Sequence, residues 1–344
     1  MTDARGRARG RPTVLLLALA LGVTGCTTAS PEDWRLESIA FRSPDRTDVA
    51  FGMAKVTGDG EGGFWSASSN SWLHVDADGE TAARFNADVD EPLSDATAMA
   101  TLAPGRLVVV SGEVPSLAIV DTSDMSMIEV PVETGDVDPL GVLRPYGDVA
   151  AHDGVVHLVR YAFSDPTGPQ AGIVRIPLAG GAATIVHTER LAFADPEEAC
   201  RGLPPVAIDV SADGRLFIAT PAHRIVLDHH GVELSREPQK AERPVVAVAP
   251  DGTALWWGEE PTSDATTGVI VGGSGEARDV IADRENCRAW YSSDSLLLTD
   301  STGENGEPLS FLCGANAAAW TGDAWVVAIG GEGDGVLVRL TPPG

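Results

Sequence analysis

The sequence predicts an all-β fold built from seven four-stranded sheets set around a central axis. The 344 residues include 38 Gly and 23 Pro, and 43% are hydrophobic, so the chain is rich in turns yet able to bury a core. One pattern occurs seven times. It consists of a small-residue run, a tight turn, an apolar run, a polar loop and an alternating run. The repeats are spaced by about 44 residues, as expected for four-stranded units.

The tight turns define the repeat. They lie at Gly58-Asp59-Gly60, Pro104-Gly105, Asp153-Gly154, Asp213-Gly214, Asp251-Gly252, Ser293-Asp294 and Gly322-Asp323. Gly and Asp tolerate the positive φ that hairpin turns require. The runs before the turns are rich in small residues, as in Ala98-Met99-Ala100 and Ala317-Ala318-Ala319, which suits first strands that converge on an axis.

The second strand of each unit is predicted directly after its turn, at 64–69, 106–111, 155–161, 215–220, 253–258, 296–300 and 324–329. These runs are almost continuously apolar, which is typical of strands covered on both faces. Third strands follow in every repeat and fourth strands in five. The segment 34–41 precedes the first repeat and is predicted to supply the outer strand of the last sheet, closing the ring.

This repeat resembles β-propellers of the NHL, YVTN or TolB-like kind over nearly all of residues 34–341. The best matches to their loose signature are 246–256, which contains Asp251-Gly252-Thr253, and 206–216, which contains Asp213-Gly214-Arg215. The resemblance implies a seven-bladed β-propeller and no particular activity. Six or eight blades remain alternatives, because the sixth repeat is short and the insert before the fourth is long.

The N terminus has the features of an export signal. Arg5, Arg7, Arg9 and Arg11 precede an apolar run that is too short to span a bilayer, and Val23-Thr24-Gly25-Cys26 resembles a bacterial lipobox. The resemblance implies cleavage before Cys26 and lipidation of its thiol, including palmitate-type acylation. We therefore expect a signal peptide at 1–25, a lipidated tether at 26–33 and a propeller at 34–344, anchored to the outer face of the cytoplasmic membrane.

Three cysteines remain if Cys26 carries lipid. Exported thiols usually pair, and a Cys287–Cys313 disulfide is the favoured pairing because both residues precede strands of successive repeats. Cys200 would then be unpaired. A set of three free, buried cysteines is the alternative.

The charge of the chain restricts its partners. The formal net charge is −26, and removal of the leader, with four Arg and one Asp, makes it about −29. Such a field repels nucleic acid and favours a cationic ligand or another protein of the cell envelope. Many acidic residues fall in the loops that join second to third strands and one sheet to the next, which we call the loop face. Candidate binding residues there are His223, Glu259, Glu260, Asp300 and Glu332.

Motifs for catalysis and metal binding are sparse. Asn86, Asp88 and Asp90 alternate as calcium ligands do, but the segment departs from the EF-hand pattern at Glu91, where glycine is needed. No HExxH, GxSxG or Walker motif occurs. The sequence therefore favours a monomeric, non-enzymatic binding or scaffold protein. The alternative is a metal-dependent propeller hydrolase resembling gluconolactonases, with a divalent cation such as Ca²⁺ as its cofactor.

Overall fold

The computed structural model describes residues 35–39, 55–68, 71–86, 93, 96–111, 117–130, 147–162, 170–191, 206–241, 244–258, 265–271, 277–283, 315–331 and 334–341. The regular elements in these segments are twenty-four β strands. Within the same segments no helix is long and apolar enough to cross a membrane.

The strands form four-stranded antiparallel sheets, numbered here in chain order. The N-terminal strand β1 (Arg35–Ile39) belongs to the last sheet. The first sheet contains β2 (Lys55–Gly58), β3 (Phe64–Ser68), β4 (Ser71–Val75) and β5 (Thr81–Asn86). The second contains β6 (Ala96–Ala103), β7 (Arg106–Ser111), β8 (Leu117–Asp121) and β9 (Ser126–Val130). The third contains β10 (Val149–His152), β11 (Val155–Ala162), β12 (Gln170–Pro177) and β13 (Thr184–Arg190).

The remaining sheets follow the same plan. The fourth contains β14 (Ala207–Val210), β15 (Leu216–Ala219), β16 (His223–Leu227) and β17 (Glu233–Pro238). The fifth contains β18 (Val245–Val248), β19 (Ala254–Gly258), β20 (Ala265–Val271) and β21 (Ala277–Asp283). The sixth contains β22 (Ala315–Trp320), β23 (Trp325–Gly331) and β24 (Asp334–Thr341), with β1 (Arg35–Ile39) as its outer strand.

The N-terminal strand closes the last sheet, as predicted from the sequence. β1 pairs with β24 in antiparallel register, with Arg35 opposite Thr341 and Ile39 opposite Leu337. The first and last strands of the fold therefore share one sheet, and the sheet edge that β24 would expose is covered.

The first strands of the sheets surround the central axis. Each contacts its neighbour in the order β2, β6, β10, β14, β18 and β22, and β22 contacts β2 again. The fold is a β-propeller, and the all-β prediction is confirmed.

The predicted number of seven blades is not confirmed. The fifth and sixth sheets contact each other directly, because the Trp325 indole N–H donates to the Ala247 carbonyl at 3.2 Å and β18 contacts β22. The inner strands of the six described sheets therefore form a closed order, which agrees with the alternative of six blades. The segments predicted for the thin sixth repeat, at 293–313, lie outside the described residues.

The turns between first and second strands have the predicted geometry. Asp153 and Gly154 have φ values of 47° and 72°, and Gly105 has 74°. These turns lie at one end of the sheets, which we call the hairpin face. Neighbouring turns approach one another there: a side chain at Gly60 would meet Pro104, and one at Gly322 would meet Gly62. The loop face is the opposite end.

The core lies between adjacent sheets. Ala98 and Ala100 of the second sheet pack with Val156, Leu158 and other buried residues of the third. Trp256 of the fifth sheet packs against Phe217 of the fourth. Trp65, Trp256, Trp257 and Trp325 are buried in this core, and Trp320 is half-buried.

Candidate functional site

Among the binding residues proposed from the sequence, His223 has a described side chain. It is the first residue of β16 and lies at the loop face, as predicted. Asn86 is the last residue of β5, but its side chain lies outside the part of the chain that the structure describes. The other proposed site residues lie outside the described residues and stay predictions: Cys26, Asp88, Asp90, Glu259, Glu260, Cys287, Asp300, Cys313 and Glu332.

His223 belongs to a polar cluster between the third and fourth sheets. Its Nδ1 lies 3.0 Å from Glu189 Oε1, and Nε2 of His187 lies 3.3 Å from Glu189 Oε2. The Arg236 guanidinium donates from one nitrogen to both Glu189 oxygens, at 2.9 and 3.1 Å, and also binds Glu233. We call Glu189, His187, His223 and Arg236 the rim cluster.

The rim cluster keeps the Glu189 carboxylate ionised. Burial acts to raise its pKa, but hydrogen bonds from His187, Arg236 and His223 and the charge of Arg236 outweigh burial and lower the pKa to about 2. The ionised Glu189 can only accept, so Nδ1 of His223 donates to it. The His223 side chain is about a third exposed.

Two further carboxylates lie on the inner strands, where each joins neighbouring sheets. Asp148 directly precedes β10, and its Oδ2 accepts the backbone N–H of Ile208 in β14 at 2.9 Å. Asp209, within β14, accepts the backbone N–H of Val248 in β18 at 2.6 Å. Both side chains belong to partly exposed residues. We call Asp148 and Asp209 the axial carboxylates.

The axial carboxylates resist ionisation. The pKa of Asp209 is raised to about 7, mainly by burial and also by the nearby charge of Asp148. Hydrogen bonds from the N–H groups of Val248 and Val210 act in the opposite direction. Burial also raises the pKa of Asp148, which the charge of Lys55 and the N–H groups of Ile208 and Val149 partly oppose. The two groups are close enough to repel each other when both are charged.

The surroundings of Asp148 contain one cation and one phenol. Lys55 begins β2 and acts on Asp148 electrostatically, but the two form no ion pair in the described part of the chain. Tyr161 is buried, and its hydroxyl accepts a hydrogen bond from the Val206 N–H at 3.0 Å. Burial is the main cause that raises the pKa of Tyr161, and the charge of Asp148 also raises it. Among the described residues, no group of three or more His, Cys, Asp or Glu side chains could hold a metal ion.

Sequence reasoning placed His223 but missed its partners and both axial carboxylates. Glu189 lies within β13, and Asp209 lies within β14. One signal was present in the sequence. An aspartate inside an apolar first strand, as at Ala207–Val210, is unexpected unless it binds a partner.

Comparisons with known proteins support the fold. No family model matches the chain, and no curated protein matches it. Several solved structures are similar to it. A luciferin-regenerating enzyme is 12% identical, with a TM-score of 0.52, over 90% of this chain and 95% of that one. A calcium-binding protein, regucalcin, from Agrobacterium tumefaciens is 11% identical, with a TM-score of 0.50, over 90% and 95%.

A third similar structure is a catalytically inactive virginiamycin B lyase from Staphylococcus aureus with quinupristin. It is 12% identical, with a TM-score of 0.50, over 90% of this chain and 99% of that one. At such identities the likeness concerns the propeller fold alone.

Proposed function

We propose that this protein is a lipid-anchored binding protein on the outer face of the cytoplasmic membrane, which admits a cationic ligand or a basic segment of another envelope protein through its acidic loop face to the central axis. The observation that supports this function is the pair of axial carboxylates. Asp148 and Asp209 lie beside the central axis and are partnered by backbone N–H groups rather than by cations.

The electrostatics of the axial carboxylates favour a positive ligand. Burial raises the pKa of both groups, and the charge of Asp148 adds to the rise at Asp209, so the protein alone offsets their charge only in part. A bound ammonium or guanidinium group would supply the missing positive charge in a partly desolvated place, where Coulomb attraction is stronger than in bulk water. The net charge of −26 adds long-range attraction for the same class of ligand.

Thermal unfolding of the exported chain with spermidine at pH 8 tests the binding function. A ligand that binds only the folded state raises the melting temperature by mass action. We expect a rise for the wild type and a clearly smaller rise for the double variant Asp148→Asn, Asp209→Asn. The matched control is Asp251→Asn, an exposed turn carboxylate of the hairpin face. Equal responses of the control and the double variant would mean that spermidine binds the acidic surface at large.

Membrane attachment needs a separate test. Cys26→Ser removes the thiol that the lipobox would acylate, and we expect this variant to leave the membrane fraction and to lose labelling by a radioactive fatty acid. An unchanged distribution of the variant would rule out anchoring at Cys26.

A metal-dependent hydrolase is the second candidate function. Carboxylate oxygens are the ligands that Ca²⁺ prefers, and one similar structure is described as a calcium-binding protein. In that case the axial carboxylates would contribute two oxygen ligands, and Ca²⁺ would raise the melting temperature more than spermidine does, with reversal by EDTA. Equal effects of Ca²⁺ and Mg²⁺ on the wild type and on the double variant would count against this function.

A further inference from the structure

We infer that, in the anchored protein, the hairpin face lies toward the bilayer and the loop face points away from it. This inference rests on the proposed anchoring at Cys26 and adds the orientation of the binding surface. It follows from the direction of β1, which is the described element nearest to the lipidation site in the sequence.

The register of the sixth sheet fixes where β1 begins. Arg35 lies opposite Thr341 in β24, and the adjacent Leu340 lies opposite Trp325, the first residue of β23. Trp325 follows the turn that joins β22 to β23, so this end of the sheet belongs to the hairpin face. The chain therefore enters the propeller at the hairpin face and runs toward the loop face.

Contacts between sheets show that this end of the sixth sheet is part of the shared hairpin face. The Arg339 guanidinium donates to the carbonyls of Gly62 and Ala77, at 3.5 and 3.3 Å. Both acceptors lie in turns of the first sheet, after β2 and after β4. The entry point of the chain is thus at the outer edge of the hairpin face, beside turns of the neighbouring sheet.

The length of the tether limits the alternatives. The segment 26–34 contains nine residues. A chain of nine residues reaches about 30 Å when it is fully extended, and its ends lie about 17 Å apart on average when it is a flexible coil. The eight residues of β24 span roughly 26 Å from one face to the other. Turning the loop face toward the bilayer would require a nearly straight tether along the outside of the sixth sheet, whereas the opposite orientation requires no extension.

Adhesion of the hairpin face to lipid is not needed for this orientation. Its turns carry exposed carboxylates, including Asp78, Asp124, Asp153, Asp251 and Asp323. These groups are repelled by anionic headgroups. The attachment point, rather than lipid binding, therefore determines which face is presented outward.

The experiment compares two labels on one strand. A fluorescent amino acid is introduced in the full-length chain at position 182, before β13 at the hairpin face, or at position 190, at the loop-face end of β13. Both side chains are exposed. The labels differ mainly in height above the membrane because they lie at opposite ends of β13. Energy transfer to an acceptor lipid is then measured in isolated membranes.

We expect transfer from position 182 to be roughly twice as efficient as from position 190, given a height difference of about 25 Å. Membrane-bound protein with equal transfer, or with more transfer from position 190, would overturn the orientation and leave the anchoring intact. Protein that is absent from the membrane fraction would overturn both. The Cys26→Ser variant with each label is the control, and its transfer should fall to background.

Discussion

The carboxylates of Glu189, which is buried, and Asp209, which is half-buried, both join neighbouring sheets, yet their pKa values move in opposite directions. Glu189 is held by an arginine and two histidines, and its pKa falls to about 2. Asp209 is held by two backbone N–H groups beside another aspartate, and its pKa rises to about 7. The comparison teaches that two backbone hydrogen bonds do not offset desolvation at Asp209, whereas the side-chain hydrogen bonds of the rim cluster and the charge of Arg236 together do so at Glu189.

This difference also separates the roles of the two regions. In the rim cluster the positive charge comes from the protein itself, so the cluster mainly connects the third and fourth sheets and orients His223. At the axial carboxylates the positive charge is incomplete, so a ligand can supply it. The following predictions test this contrast, beginning with the largest expected effect.

Loss of the negative charge of Glu189 should destabilise the protein most. Glu189→Gln leaves Arg236 and two imidazoles without their charged acceptor, and we expect the free energy of unfolding at pH 7 to fall by about 2–3 kcal/mol. Urea unfolding measures this change. Glu233→Gln is the control, since Glu233 is exposed and also binds Arg236, and its effect should be much smaller. Similar losses in both variants would contradict a special role for Glu189.

The ionisation of Asp209 should reduce stability as pH rises. A carboxyl group whose folded pKa is about 7 and whose unfolded pKa is about 4 binds more protons in the folded state between these values. Stability is therefore lost as pH increases through this window. Relative to wild type, Asp209→Asn should gain on the order of 1–2 kcal/mol between pH 5 and pH 8.

The difference between variant and wild type isolates Asp209 from other titrating groups. Burial lowers the pKa of His157 to about 4, and this histidine gives an opposite slope, because stability is lost as pH falls from its unfolded value toward 4. Thermal melts of both proteins at matched pH values cancel that contribution. A difference in melting temperature that stays constant from pH 5 to pH 8 would show that Asp209 does not titrate there.

Removal of the neighbouring charge should shift the Asp209 titration. Asp148→Asn abolishes the repulsion that raises the pKa of Asp209, so the midpoint should move to lower pH by a fraction of a unit to about one unit. Carboxyl ¹³C NMR of labelled aspartates reports the midpoint directly. An unchanged midpoint would mean that burial alone accounts for the raised pKa.

Changing the cation of the rim cluster tests how much of the Glu189 pKa shift depends on charge. Arg236→Gln keeps a hydrogen-bond donor but removes the charge, so the pKa of Glu189 should rise from about 2 toward its ordinary value. Carboxyl ¹³C NMR of labelled glutamates is the measurement, and Arg236→Lys should restore part of the shift. A Glu189 pKa that is unaffected in Arg236→Gln would assign the shift to the histidines.

Local signals in the sequence were sufficient to predict the strands and turns. Asp153-Gly154 has the positive φ values that its residue types indicate, and β7 has the predicted bounds, Arg106–Ser111. Closure by 34–41 was also predictable, because the last repeat lacked a fourth strand. These features depend on residues that are close in sequence or on a simple count of strands.

Contacts between sheets could not be read from the sequence. The number of blades depends on the contact of Trp325 with Ala247, which are 78 residues apart. The rim cluster joins Glu189 to residues 34 and 47 positions away. Residue type showed that His223 could act as a ligand or base. Only the packing of the third sheet against the fourth determines which of its nitrogens binds Glu189.

The most direct test of this account is the titration of the Asp209 carboxyl group, followed by ¹³C NMR in the wild-type protein and assigned with Asp209→Asn. The account predicts a midpoint near pH 7, because burial and the charge of Asp148 outweigh the hydrogen bonds from the backbone N–H groups of Val248 and Val210. A midpoint near 4, the ordinary value for aspartate, would contradict it and would remove the reason for a cationic ligand at the axis.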